Sequence, residues 1–226
     1  MLLLRPRSPR PKDWLPYILG VAAVAALVFV LAATTIRAEH ERRRAYAQGV
    51  VRNMALLIEG QVADVLWQAD RVLRQRAGFE PDADPLPPAL PFPPPGLQLT
   101  GPERDARGLW VLRLRRESVR PGAPPVEVAL PVERLGAILE RVQLGAYGAV
   151  SLRMSSMALI WRQPMPAGGM ARLGSTEVSK GLRDAVAQSP QAGDFDAPTA
   201  LDGIARLNAY QRVDGFPLYE IGRANV

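Results

Sequence analysis

The chain has 226 residues, 28 of them basic and 22 acidic, a net charge of +6, one histidine and no cysteine. That length allows one ordinary domain with an extended appendage, and the missing cysteine excludes disulfide frameworks, thiolate metal centres and thiol catalysis while leaving an oxidising compartment acceptable. The positive charge is confined to two places: residues 1–13 carry +3 and residues 37–78 carry +3, whereas residues 79–226 balance to zero. A basic excess of that kind suits anionic lipid headgroups; without an aromatic-rich basic stripe in the remainder, no nucleic-acid partner is expected. Only Lys12 and Lys180 are lysines, and with the abundant Ala, Gly and Pro this composition points to a GC-rich bacterial genome.

Residues 1–13 read as a short cytoplasmic tail. Residues 14–36 (WLPYILGVAAVAALVFVLAATTI) contain no charged side chain. A helix of that length crosses a hydrocarbon core of about 30 Å. A cleaved signal peptide has a shorter apolar core and a small-residue cleavage site, and Thr34-Thr35-Ile36 is a poor one, so an uncleaved anchor is the better reading. Arg5, Arg7, Arg10 and Lys12 precede the span against Asp13 alone, whereas Arg37 and Arg42 to Arg44 are offset by Glu39 and Glu41. The asymmetry favours the N-terminus inside and the large remainder outside. The expected location is therefore a bacterial inner membrane, crossed once, with a periplasmic C-terminal domain.

Residues 37–78 continue as a helix without proline. Val51, Met54, Ile58, Val62, Val65, Ala69 and Val72 recur at steps of three and four, with Leu66 and Leu73 beside them. Arg52, Glu59, Asp64, Asp70, Arg71 and Arg74 fall on the opposite face. The stripe either packs on the chain's own domain or forms a parallel homodimer seam, its spacing averaging near 3.5. Residues 79–108 are a connector, proline-rich over 81–102, which favours extended polyproline II structure.

Beyond it the periodicity falls to two. Trp110, Leu112 and Leu114 alternate with Val111, Arg113 and Arg115 as in a half-buried strand, and Val126–Leu130 is a second. Pro131–Gln143 reads as a helix, Tyr147–Met154 and Met157–Arg162 as strands, and Glu177–Gln188 as a helix. Ile204–Val213 and Phe216–Ile221 form a hairpin about Asp214-Gly215. The fold class is α+β: a transmembrane helix continuing into a long helix, then a PAS-like antiparallel sheet with flanking helices over residues 109–226.

Several stretches in this order resemble the Cache (PDC) extracytoplasmic sensor domains of bacterial signalling proteins. They are LWVLRLRRE with Arg115 and Arg116, the helix and Leu144-Gly145/Gly148 turn of VALPVERLGAILERVQLGAYGAV, the Arg162/Pro164 ending, and LDGIARLNAYQRVDGFPLYEIG with Asp202-Gly203, Arg206, Tyr210, Arg212 and Phe216-Pro217-Leu218. The long helix AYAQGVVRNMALLIEGQVADVLWQADRVL is similar to the membrane-proximal helix of such sensors. Full double-lobed members carry a further Asp-Arg and aromatic segment before the Arg-Arg strand. Asp105-Ala106-Arg107 is a partial echo of it, which implies a shortened membrane-distal part.

Catalytic chemistry has little to draw on. His40 stands beside the span, remote from any Ser or Asp of the folded part. Asp194, Asp196 and Asp202 lack the spacing of a calcium loop. The expectation is a non-enzymatic chain with no cofactor and no metal site. Arg115, Arg162, Arg206, Tyr210 and Arg212 are the candidate ligand contacts, because guanidinium groups hold carboxylates bidentately. The resemblance implies a membrane-anchored sensor whose partners are the membrane, a small-molecule ligand, and an output module on a continuation past Val226 or on another protein. The alternative is an anchored scaffold of a secretion or pilus apparatus, which also joins a span, a helix and a proline-rich spacer to a small α+β domain.

Overall fold

The computed structural model describes residues 15–79, 96–142, 148–198 and 205–224. Expectations for the proline-rich stretch 81–95, the turn at Leu144-Gly145 and Asp202-Gly203 fall outside the described residues. The elements in order are α1 (Leu15–Ala77), β1 (Leu97–Arg104), β2 (Trp110–Arg116), β3 (Val126–Pro131), α2 (Val132–Glu140), β4 (Ala149–Met154), β5 (Leu159–Gln163), α3 (Lys180–Gln188), β6 (Ala192–Pro198), β7 (Ala205–Arg212) and β8 (Leu218–Ala224). This is the expected α+β class with antiparallel sheets. By compactness residues 1–45 form one unit and residues 46–226 another.

In the first unit α1 is apolar on every side from Leu19 to Ile36. Leu19, Val24, Leu27, Phe29, Leu31 and Ile36 are all exposed, so no protein core covers this apolar surface. Leu19–Glu39 is long and apolar enough to cross a bilayer. Thr34 and Thr35 donate their hydroxyls back to the Leu31 carbonyl at 2.9 and 2.8 Å, which satisfies them inside the helix.

The second unit has two antiparallel sheets, one ordered β1-β2-β3 and the other β5-β4-β8-β7-β6. One core joins them: Ile58, Val62, Leu66 and Leu73 of α1 pack with Leu112 and Leu114 of β2, Leu135 and Leu139 of α2, and Leu152 and Leu218 of the larger sheet. Two close approaches seat the helices. Gly136 of α2 lies so near the Trp161 ring that a Cβ would stand 2.3 Å from it. Gly215, at φ +76, would carry a Cβ 2.6 Å from the Trp67 ring, and Phe216 meets Trp67 edge to face at 4.7 Å. That docking makes the β7–β8 connection five residues long, 213–217, instead of the two-residue turn the Asp-Gly pair predicts.

Three further differences from the sequence reading have physical causes. β1 occupies Leu97–Arg104, inside the segment read as connector; its Gly101-Pro102 step sits at a break in the β1–β2 register between Thr100 and Glu103, which conceals the alternation. β6 (Ala192–Pro198) was not anticipated, because AGDFDAP has few strand-forming residues and gains its ladder from β7. The buried stripe of α1 is Ala55, Ile58, Val62, Leu66, Asp70, Leu73 and Ala77. Asp70, assigned to the polar face, is therefore buried, and Val72, assigned to the stripe, is exposed.

Asp70 is buried because Arg116, at the end of β2, donates Nε to its Oδ1 and Nη2 to its Oδ2, the second at 3.0 Å. Both side chains are under 5% exposed. Removing one partner of such a pair strands the other charge in the core. Asp70→Ala is expected to destabilise the domain by about 3–5 kcal/mol, measured by denaturant unfolding of the purified chain; Asp70→Leu with Arg116→Met is expected to recover most of that loss.

Candidate functional site

The two faces of the five-stranded sheet differ in chemistry. Val150, Leu152, Met154, Trp161 and Leu218 share one face and join the core against α1 and α2. The other face carries Ser151 and Arg153 of β4, Arg162 of β5, Asn208, Tyr210 and Arg212 of β7, and Tyr219 and Arg223 of β8. A half-buried sheet would expose this second set. Here every residue of β4 is buried, because α3 and the 155–179 segment cover the polar face.

The cover is fastened through this face. Ser179 caps α3, its Oγ accepting the Leu182 N–H at 3.3 Å. Leu182 then packs with Tyr210, Tyr219 and Ile221 in a small second core. The Tyr210 hydroxyl lies 2.7 Å from the carbonyls of both Ala185 and Ser189 and donates to one or the other. Tyr219 donates its hydroxyl to the Pro190 carbonyl at 2.9 Å. Arg153 donates Nη1 to the carbonyls of Met157 and Ser175 and Nη2 to that of Glu177, tying two loop strands to the sheet.

Three guanidinium groups, those of Arg153, Arg162 and Arg223, are each at least nine-tenths buried on this face. Arg223 donates Nε to Asn208 Oδ1 at 3.1 Å and Nη1 to Ser151 Oγ at 3.3 Å. Arg162 stands directly opposite Ser151 across the β4–β5 ladder. Burial, reinforced by the charge of Arg162, pulls Arg153 down to about 10, so Arg153 remains cationic at neutral pH. Like charges brought together in a low dielectric create a field that favours an anion.

The five sequence candidates divide accordingly. Arg162, Tyr210 and Arg212 are brought to this one face, Arg212 opposite Tyr219. Arg206 stands opposite Ala197 in the β6–β7 register, and its side chain lies outside the described residues. Arg115 is on the other sheet, exposed, 3.6 Å from Glu117. Arg153, Arg223, Ser151 and Asn208 were missed. Ser151 and Arg153 alternate within a strand the sequence reading recognised, so period two alone placed them on one face; Arg223 and Asn208 needed the register of β8 with β7. The echo Asp105-Ala106-Arg107 forms the β1–β2 turn, where Asp105 Oδ1 accepts the N–H groups of Arg107 and Leu109. Among the described residues no group of three or more His, Asp or Glu side chains is placed to hold a metal ion.

Tyr210→Phe tests the fastening. Without the hydroxyl the amides of residues 182–189 are expected to exchange about tenfold faster, the equivalent of one hydrogen bond of roughly 1–1.5 kcal/mol, read by hydrogen-exchange mass spectrometry.

Residues 133–222 match the model of the dCache_1-like family of histidine kinase sensor domains. No curated protein sequence is significantly similar to the chain. Among solved structures, the extracellular domain of rpHK1S-Z16, assigned as a histidine kinase, is similar at 19% identity and a TM-score of 0.64, covering 80% of this chain and 95% of that one. The ligand-binding domain of the Pseudomonas aeruginosa amino acid chemoreceptor PctC, solved with GABA, is similar at 13% identity and a TM-score of 0.53, covering 78% and 99%. That of the Pseudomonas fluorescens chemoreceptor CtaA, solved with L-isoleucine, is similar at 14% identity and 0.52, covering 80% and 93%. At these identities the likeness is one of fold. Residues 133–222 thus resemble the dCache_1-like sensor domains, in a chain with the fold of the extracellular sensor domains of histidine kinases and chemoreceptors.

Proposed function

We propose that the chain is the membrane-anchored sensory part of a bacterial signal-transduction protein, non-enzymatic itself, with its N-terminus in the cytoplasm and its domain in the periplasm. The polar sheet face under α3 takes a small organic anion. The observation that carries this reading is the burial of Arg153, Arg162 and Arg223 on one covered face, the first two within the stretch that matches the sensor family and the third next to its end. GABA and L-isoleucine, held by the structurally similar PctC and CtaA domains, both bear a carboxylate, the group a guanidinium fork recognises. Ligand binding biases two arrangements of the domain, and the signal passes along α1, the one helix that also contains the membrane-spanning segment.

The purified chain, screened against amino acids and short carboxylic acids, is expected to gain about 5–10 °C in Tm at a hundred times Kd, from roughly 2.7 kcal/mol of linkage at 2–4 °C per kcal/mol. Arg162→Met and Arg223→Met are expected to remove that gain. A panel that shifts neither the chain nor its variants overturns the anion assignment.

The same reading makes the sensor a homodimer through α1. Leu56 and Leu57 are 49% and 69% exposed beside the open positions Gly49 and Gly60, an apolar outer face distinct from the stripe that holds the sheets. Leu57→Cys, in a chain free of other cysteines, is expected to cross-link rapidly to a second copy in membranes, and Met170→Cys, exposed in the 155–179 segment away from α1, much more slowly.

A further inference from the structure

β8 is hydrogen-bonded to β4 on one side and β7 on the other. Tyr219, Ile221 and Arg223 lie on its α3 side. Glu220 lies on the reverse side, in register with Leu152 and Gln211, where Leu152 and Leu218 pack in the core that contains Ile58, Val62 and Leu66 of α1. The Glu220 side chain is fully buried, and neither carboxyl oxygen has a hydrogen-bond partner among the described residues. An ionised carboxylate in such a place costs several kcal/mol. Burial accordingly pushes Glu220 well above the usual carboxylate range, against a smaller downward pull from Arg223 on the other face.

Among the described residues the charged groups of α1 near this side are engaged elsewhere. Arg52 of α1 is bound to Asp194 of β6 at 2.8 Å. Glu59 of α1 accepts the Asp214 N–H at 2.7 Å and is itself raised, chiefly by burial and further by Asp214 and Asp64. β4 and β5 present Val150, Leu152, Met154 and Trp161 here, and β7 presents the neutral Gln211. Two carboxyl groups, one on the sheet and one on the helix, thus line the junction of α1 with the sheet.

We propose that this junction is a proton-gated latch: with Glu220 protonated α1 lies flush on the five-stranded sheet, and loss of that proton loosens the helix. The device lies on the opposite side of the sheet from the arginine face and acts without any ligand, so it goes beyond the sensing role proposed above. A carboxyl whose folded pKa lies above its unfolded value binds its proton more tightly when folded. Its stabilising contribution is therefore complete below the unfolded pKa and is lost as pH rises through the folded one. Acid closes the latch and alkali opens it.

The test is hydrogen exchange of the full chain in lipid nanodiscs at pH 5 and pH 8.5, without ligand and corrected for intrinsic exchange. Peptides covering residues 52–66 are expected to be at least tenfold better protected at pH 5, about tenfold for each unit of pKa displacement. Glu220→Gln is expected to abolish that difference and hold the acid-like protection at both values; Glu59→Gln is expected to leave most of it. Glu220→Leu serves as a second variant with the same expectation. A wild-type chain with equal protection at both pH values overturns the proposal. So do a pH difference that survives in Glu220→Gln, and failure of both Glu220 variants to fold. Failure of the anion screen leaves these outcomes untouched.

Discussion

The ion pair between Asp70 and Arg116 fixes the arrangement on which the rest of the domain depends. Asp70 is the single acid within the buried stripe of α1, between Leu66 and Leu73. An α-helix can turn about its axis within a smooth apolar groove at little cost, since leucine contacts are non-directional. A bidentate guanidinium–carboxylate pair permits one rotation only. With that rotation set, Trp67 faces Phe216 and Gly215, Glu59 faces the Asp214 amide, and Arg52 faces Asp194. Helix, small sheet and large sheet then close on one core.

That core explains why the large sheet has a polar underside. With α1 and α2 filling one face, α3 and the 155–179 segment cover the other, and the covering is held by tyrosine hydroxyls and by Arg153 reaching backbone carbonyls. An apolar cover would need no such hydrogen bonds. Burying three arginines under it is costly unless something compensates them. The proposed ligand face and the proposed latch therefore follow from one layout: cations on the α3 side of β8 and the buried Glu220 carboxyl on its α1 side, separated by a single strand.

Much of the fold was legible in the sequence where one periodicity dominates. The span, the long helix, β2, β3 and α2 stand out because burial on one face imposes period 3.6 or 2. β1 and β6 did not, since a register break at Gly101-Pro102 and the sparse AGDFDAP segment erase the alternation. Of the candidate ligand contacts, Arg162, Tyr210 and Arg212 lie on the covered sheet face, and the Tyr210 hydroxyl bonds the carbonyls at the end of α3. Arg153, Arg223 and Glu220 were missed, because alternation assigns a strand's charged residues to solvent unless a covering layer is known.

The sequence by itself determined an apolar helix long enough to cross a membrane, the α+β class and the likeness to Cache sensors, all of which follow from local composition and spacing. Only the tertiary structure decided which charges are buried. Asp70, which the sequence pattern placed on the polar face of α1, is paired in the core. Glu220 is enclosed, and among the described residues neither of its carboxyl oxygens has a hydrogen-bond partner. The reason is physical: the state of a charge depends on what lies across the fold from it, and contacts between distant residues set that.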